Sequence, residues 1–165
     1  MGLRALSAVA IVAIAVAFST GASAAPIATG YQARANAACA RAQARWKTLE
    51  SKPVTGDTKS AMAAGEANAL STGLAILDQE YGTLRALQPP PALAADHSRA
   101  LWGLWRTIAA LGTEVKRIRS GVDPVSAQIG ASSAISKEWS SAVVAWTLEG
   151  LQVCSQSTIA VSFLP

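Results

Sequence analysis

Leu84-Arg85-Ala86-Leu87-Gln88-Pro89-Pro90-Pro91-Ala92-Leu93-Ala94-Ala95-Asp96-His97 ends one apolar periodicity and begins another. Proline lacks an N–H and clashes with the preceding turn, so it cannot sit in a helix interior, but its fixed φ suits a first turn. The triplet Pro89-Pro90-Pro91 therefore stops one helix and starts the next. Before it, Leu70, Leu74, Leu77, Tyr81, Leu84 and Leu87 recur at intervals of three and four, the spacing of a helix with one buried face. Asp57 is the expected N-cap of that helix. After the triplet, Leu93, His97, Leu101, Leu104, Ile108, Leu111, Val115 and Ile118 continue in the same way as far as Ser120-Gly121.

Two more helices flank this pair. Upstream, Tyr31, Ala35, Ala38, Ala42, Trp46 and Leu49 form a stripe that ends at Lys52-Pro53. Downstream, Asp123-Pro124 supplies an N-cap followed by a proline at the first helical position. The fourth stripe reads Val125, Ile129, Ser132, Ser136, Trp139, Val143, Trp146, Gly150 and Val153. Alternation of apolar and polar residues over a strand's length is missing from all four segments. Short connections between long helices make neighbours antiparallel. The expectation is an all-α, up-down-up-down four-helix bundle over residues 25–165.

Residues 1–24 form a separate object. Arg4 precedes an apolar or small-residue run over 5–18, and Ala22-Ser23-Ala24 has the small-x-small form of a cleavage site. This is the pattern of a secretory signal peptide cut after Ala24, with an uncleaved membrane anchor as the other reading of the same run. No cysteine follows the leader to carry a lipid. Of the 36 alanines in the chain, eight lie in this leader, which also lifts the mean hydropathy to +0.30.

An exported chain with two cysteines, Cys39 and Cys154, is expected to pair them. Free thiols for metal or redox chemistry are the alternative, but no CxxC spacing is present. Such a bridge would close most of the mature chain, an effect of about 4–5 kcal/mol in the chain-entropy description. It also constrains the packing. If Cys154 lies at the top of a fourth helix running to Val153, Cys39 must lie there too. The first helix would then be short, running beside the fourth only over 39–50, roughly 16 Å at 1.5 Å per residue. Residues 51–57 would be extended to cover the remaining length. Residues 31–38 would overhang the top, meeting the apolar tail of Ile159, Val161, Phe163 and Leu164.

Charge and motif content narrow the function. The net charge of +4 is mild and unclustered. The one local group, Lys116, Arg117 and Arg119, sits where cations complement a helix C-terminus, so no nucleic-acid partner is expected. His97, the only histidine, lies on an apolar stripe as a packing or hydrogen-bonded residue. A haem ligand or other ligand contact there is the alternative. No CxxCH attaches a haem and no Glu-x-x-His pairs build a di-metal bundle, so neither cofactor nor metal is expected. One histidine and no Gly-x-Ser-x-Gly leave no readable nucleophile set, and the inward positions read as Leu, Ile, Val, Ala and Trp. A site built from Arg99, Arg106 and Glu114 on the third helix is the remaining enzymatic possibility. Trp46, Trp139 and Trp146 fall on their stripes, whereas Trp102 and Trp105 broaden the apolar arc of the third helix. With His97, they are the candidate ligand or partner contacts.

Ala35-Asn36-Ala37-Ala38-Cys39, Leu84-Arg85-Ala86-Leu87-Gln88-Pro89-Pro90 and Gly150-Leu151-Gln152-Val153-Cys154 resemble the pattern of small secreted or lipid-anchored actinobacterial helical proteins of uncharacterised function. That resemblance implies a first-to-last-helix disulfide between Cys39 and Cys154. It does not imply a lipid anchor here, because the lipid-bearing cysteine is missing. The expected function is a non-enzymatic, secreted or extracytoplasmic bundle that acts through a protein or cell-envelope partner. A carrier of haem or another apolar ligand stands second, and a secreted all-helical enzyme third.

Overall fold

A computed structural model describes residues 25–157, and 83% of them are helical. The expected leader and the tail carrying Ile159, Val161, Phe163 and Leu164 lie outside the described residues. Four long helices pack together: α1 (Ala25–Glu50), α2 (Lys59–Arg85), α3 (Ala94–Arg119) and α4 (Pro124–Leu148). A 3-10 turn, Pro91–Leu93, leads into α3, and a single-turn helix, α5 (Gln152–Ser155), follows α4. The described residues contain no strand.

Local chemistry sets the boundaries. Thr58, rather than the expected Asp57, caps α2, its hydroxyl accepting from the Ala61 N–H at 3.1 Å. Asp123 caps α4 by accepting from the Ser126 N–H, also at 3.1 Å, with Pro124 in the first turn. The C-termini of α3 and α4 close in the same way. In each, a glycine takes positive φ, Gly121 at 93° and Gly150 at 73°. The next N–H then reaches back to the last turn: Val122 to the Arg117 carbonyl, and Leu151 to the Trp146 carbonyl.

The reversal at Gly150 overturns the expected short first helix. The fourth helix does not continue to Val153, because the left-handed glycine turns the chain back over α1. Asn36 Oδ1 accepts from the Val153 N–H at 2.9 Å, and Gln43 Nε2 donates to the Val153 carbonyl at 2.8 Å. Cys154 thus lies beside the middle of α1, not at the top of the bundle. Its disulfide to Cys39, with Cα atoms 5.2 Å apart, is compatible with a first helix of 26 residues. Residues 31–38 do not overhang, since Tyr31, Ala35 and Ala38 are all buried.

The closest helix pair is α3 with α4. Gly103 meets the backbone of α4 so tightly that a Cβ there would lie 2.8 Å from both the Ala142 nitrogen and the Glu138 carbonyl oxygen. The main core combines Tyr31, Ala38 and Trp46 with Leu77, Leu84, Leu104, Leu111, Ile135, Trp139 and Trp146. Trp139 and Trp146 meet edge to face, with ring centroids 5.5 Å apart. A second cluster of Ala67, Leu70, Val115, Ile118 and Ala127 fills the end where α3 turns into α4. In this region the stripe expected for α4 is out of phase. Val125 and Ile129 point to solvent, while Ala127 and Ala131 face inward. Ala127 there packs among Ala67, Leu70, Val115 and Ile118, so the inward phase of α4 falls on alanine.

Candidate functional site

Three polar side chains meet inside the upper end of the bundle. Tyr31 comes from α1, His97 from the first turn of α3, and Glu149 from the residue that caps α4 before the Gly150 reversal. All three are buried, with relative exposures of 0%, 5% and 1%. The Tyr31 hydroxyl donates to Glu149 Oε2 and lies 2.7 Å from His97 Nδ1. His97 Nδ1 is also 3.3 Å from Glu149 Oε2. The two rings meet edge-on at 83°. Gln32 holds the acid from behind, its Nε2 donating to the Glu149 carbonyl at 2.8 Å.

Proton bookkeeping assigns the tautomer. A phenol has one proton, and it goes to the carboxylate, so the phenolic oxygen can only accept from His97. Nδ1 therefore carries a hydrogen, leaving Nε2 as the ring acceptor in the neutral form. Burial, the bond to Glu149 and the charge of that carboxylate all raise the Tyr31 pKa, which keeps the phenol protonated. His97 Nε2 and Glu149 Oε1 have no hydrogen-bond partner among the described residues.

The inward positions are thus not wholly apolar, contrary to expectation. Besides His97 and Glu149, the interior holds Glu80, Glu114 and Thr107. Glu80 faces α1 in a cleft of about 80 Å³ that Arg41 and Arg45 also line, yet neither of its oxygens has a partner. Burial pushes its carboxyl up to about 8. Glu114 is raised to about 7 by burial and by the nearby charge of Glu66, against a lowering influence of Arg117. Glu66 is itself raised by burial and by Asp123. Periodicity singled out Glu114 but missed Glu80 and Glu149, because a glutamate at an inward phase position looks the same in sequence as one on a solvated face.

The candidate residues His97, Trp102 and Trp105 separate. Trp102 and Trp105 are 59% and 42% exposed, and their rings meet at a 33° tilt with centroids 5.0 Å apart. With Tyr81, Ser98 and Leu101 they line a surface cleft of about 330 Å³ between α2 and α3. His97 is not among its walls. Of the Arg99, Arg106 and Glu114 set, Arg99 pairs with Asp96 near the start of α3. Arg106 and Glu114 share a different cleft with Arg117 and Glu138, between α3 and α4.

Among the described residues no group of three or more His, Cys, Asp or Glu side chains is placed to hold a metal ion, and no helix is long and apolar enough to cross a membrane. The chain matches no protein-family model, no curated protein and no solved structure.

Proposed function

We propose that this chain is an exported, non-enzymatic helical bundle that acts at the cell envelope by binding a protein partner through the Trp102–Trp105 face. The observation that carries the reading is the exposed, adjoining tryptophan pair itself. Large aromatic rings left in water keep apolar surface that a partner can bury, and tryptophan is enriched at the centres of interfaces. Arg99 and Arg106 lie on the same stretch of α3, but Asp96 and Glu138 already pair with them, so the face is apolar at its centre and carries balanced charge at its rim. The Cys39–Cys154 disulfide supports an oxidising compartment, as the leader-like residues 1–24 do. The haem-carrier reading is weakened, because His97 is engaged by Tyr31 and Glu149 away from the tryptophan cleft.

The test is fractionation of the producing cells. The wild-type protein is expected in the envelope-bound fraction, and Trp102→Ala/Trp105→Ala in the medium with unchanged circular dichroism. Retention of the double variant on the envelope, or a wild-type protein free in the medium or confined to the cytoplasm, overturns the proposal.

A further inference from the structure

The α3–α4 cleft has a volume of about 300 Å³ and shares no wall residue with the tryptophan face. That volume is at the lower end of what small-molecule sites occupy. At one end, Glu114 and Arg117 project from successive turns of α3, where side chains three apart are neighbours. Glu114 is 1% exposed and its Oε2 has no hydrogen-bond partner. Arg117 makes no ion pair among the described residues. Its guanidinium reaches α4 at Gly130, where a Cβ would collide with Nη1. At the other end, Arg106 Nε faces Glu138 Oε1 at 3.7 Å. Between the two ends the walls are Ala109, Ala110, Ala131 and Ala134, with Thr113 beside Glu114.

A buried acid with an unsatisfied acceptor beside an unpaired guanidinium presents, once the acid is ionised, opposite charges one helical turn apart. A lone anion would satisfy only the arginine, and a lone cation only the acid. The alanine walls beyond them accept an apolar body, not a second charge. We propose that this cleft binds a free α-amino acid with an aliphatic side chain. Its carboxylate is held by Arg117, its ammonium by Glu114, and its side chain lies along the alanines. Gly130 is a positioning residue, because any side chain there displaces the guanidinium.

The test is calorimetric titration of the full mature protein with L-leucine, 4-methylpentanoate and 3-methylbutylamine. The last two keep the aliphatic body but lack the ammonium and the carboxylate, respectively. L-leucine is expected to bind at least about tenfold more tightly than either half-ligand. Arg117→Met and Gly130→Ala are each expected to weaken L-leucine by about tenfold or more. Alanine is favoured at an exposed helical position, so Gly130→Ala keeps the fold while moving the arginine. Amide shifts on leucine addition are expected at Ala109, Ala110 and Ala131. The proposal is overturned by no binding up to roughly 20 mM, by equal affinity for either half-ligand, or by Arg117→Met binding as the wild type does.

Discussion

The phenol of Tyr31 donates its hydrogen bond to the carboxylate of Glu149 across 118 residues of sequence, inside the bundle and against His97. The first, third and fourth long helices are thereby tied together at one end through groups that water does not reach. Removing one partner from such a cluster leaves the others buried without a bond, which costs more than the bond itself contributed.

Tyr31→Phe is accordingly expected to destabilise the protein by about 1–3 kcal/mol in urea denaturation. Combined with Glu149→Gln in a double-mutant cycle, it should return a coupling of at least about 0.5 kcal/mol. A Tyr31→Phe midpoint equal to that of the wild type would show that the cluster contributes nothing to stability.

Stability should fall as pH rises from about 5 to 8. Glu80 and Glu114 have folded-state pKa values raised from 4.5 to about 8 and about 7, so the folded protein holds protons that the unfolded chain releases. Between the unfolded and folded values the unfolded state binds fewer protons, and the stability is lost with rising pH at up to about 1.4 kcal/mol per unit per group. Above the folded values the dependence flattens. Thermal melts at intervals across this range measure it, and Glu80→Gln should remove the part between 7 and 8. A Tm that climbs over the same interval contradicts the assignment.

The disulfide spans 115 residues and fastens α5 to the middle of α1. Cys39→Ser/Cys154→Ser should lose about 2–5 kcal/mol. Hydrogen exchange should rise first at Val153, whose N–H bonds to Asn36, because that bond depends on α5 staying docked. Loss of protection spread evenly over α3 and α4 would instead mean that the bridge holds the whole bundle.

Gly103 and Gly112 lie on the same helix and should respond oppositely to alanine. At Gly103 the added carbon meets the backbone of α4, which cannot yield without moving the helix, for a cost of about 1–3 kcal/mol. At Gly112 nothing lies within 4 Å, and alanine should stabilise by about 0.5–1 kcal/mol through helix propensity. Melting temperatures moving in the same direction for both would refute the close α3–α4 approach.

Much of the architecture is legible in one dimension. The proline triplet, Asp123-Pro124 and Gly121 act through the backbone of their own neighbours, so their effects are local and readable. The stripes of α1, α2 and α3 are buried or half-buried as their spacing indicates. The start of the α4 stripe misled because valine and isoleucine outrank alanine in hydrophobicity, whereas the rotation of the helix turns Ala127 and Ala131 inward. Trp102 and Trp105, which the spacing places at the edge of the α3 apolar arc, face solvent.

Sequence alone determined the helical class, the presence of four packed helices and the pairing of the two cysteines, since periodicity, capping and cysteine count are properties of neighbouring or unique residues. Tertiary structure decided the rest. The left-handed turn at Gly150 set the level of Cys154 and hence the length of α1. Packing brought Tyr31, His97 and Glu149 together and placed Glu114 and Arg117 in one cleft with Arg106 and Glu138. Contacts between distant helices depend on the rotation and height of each helix, and a residue's type does not encode either.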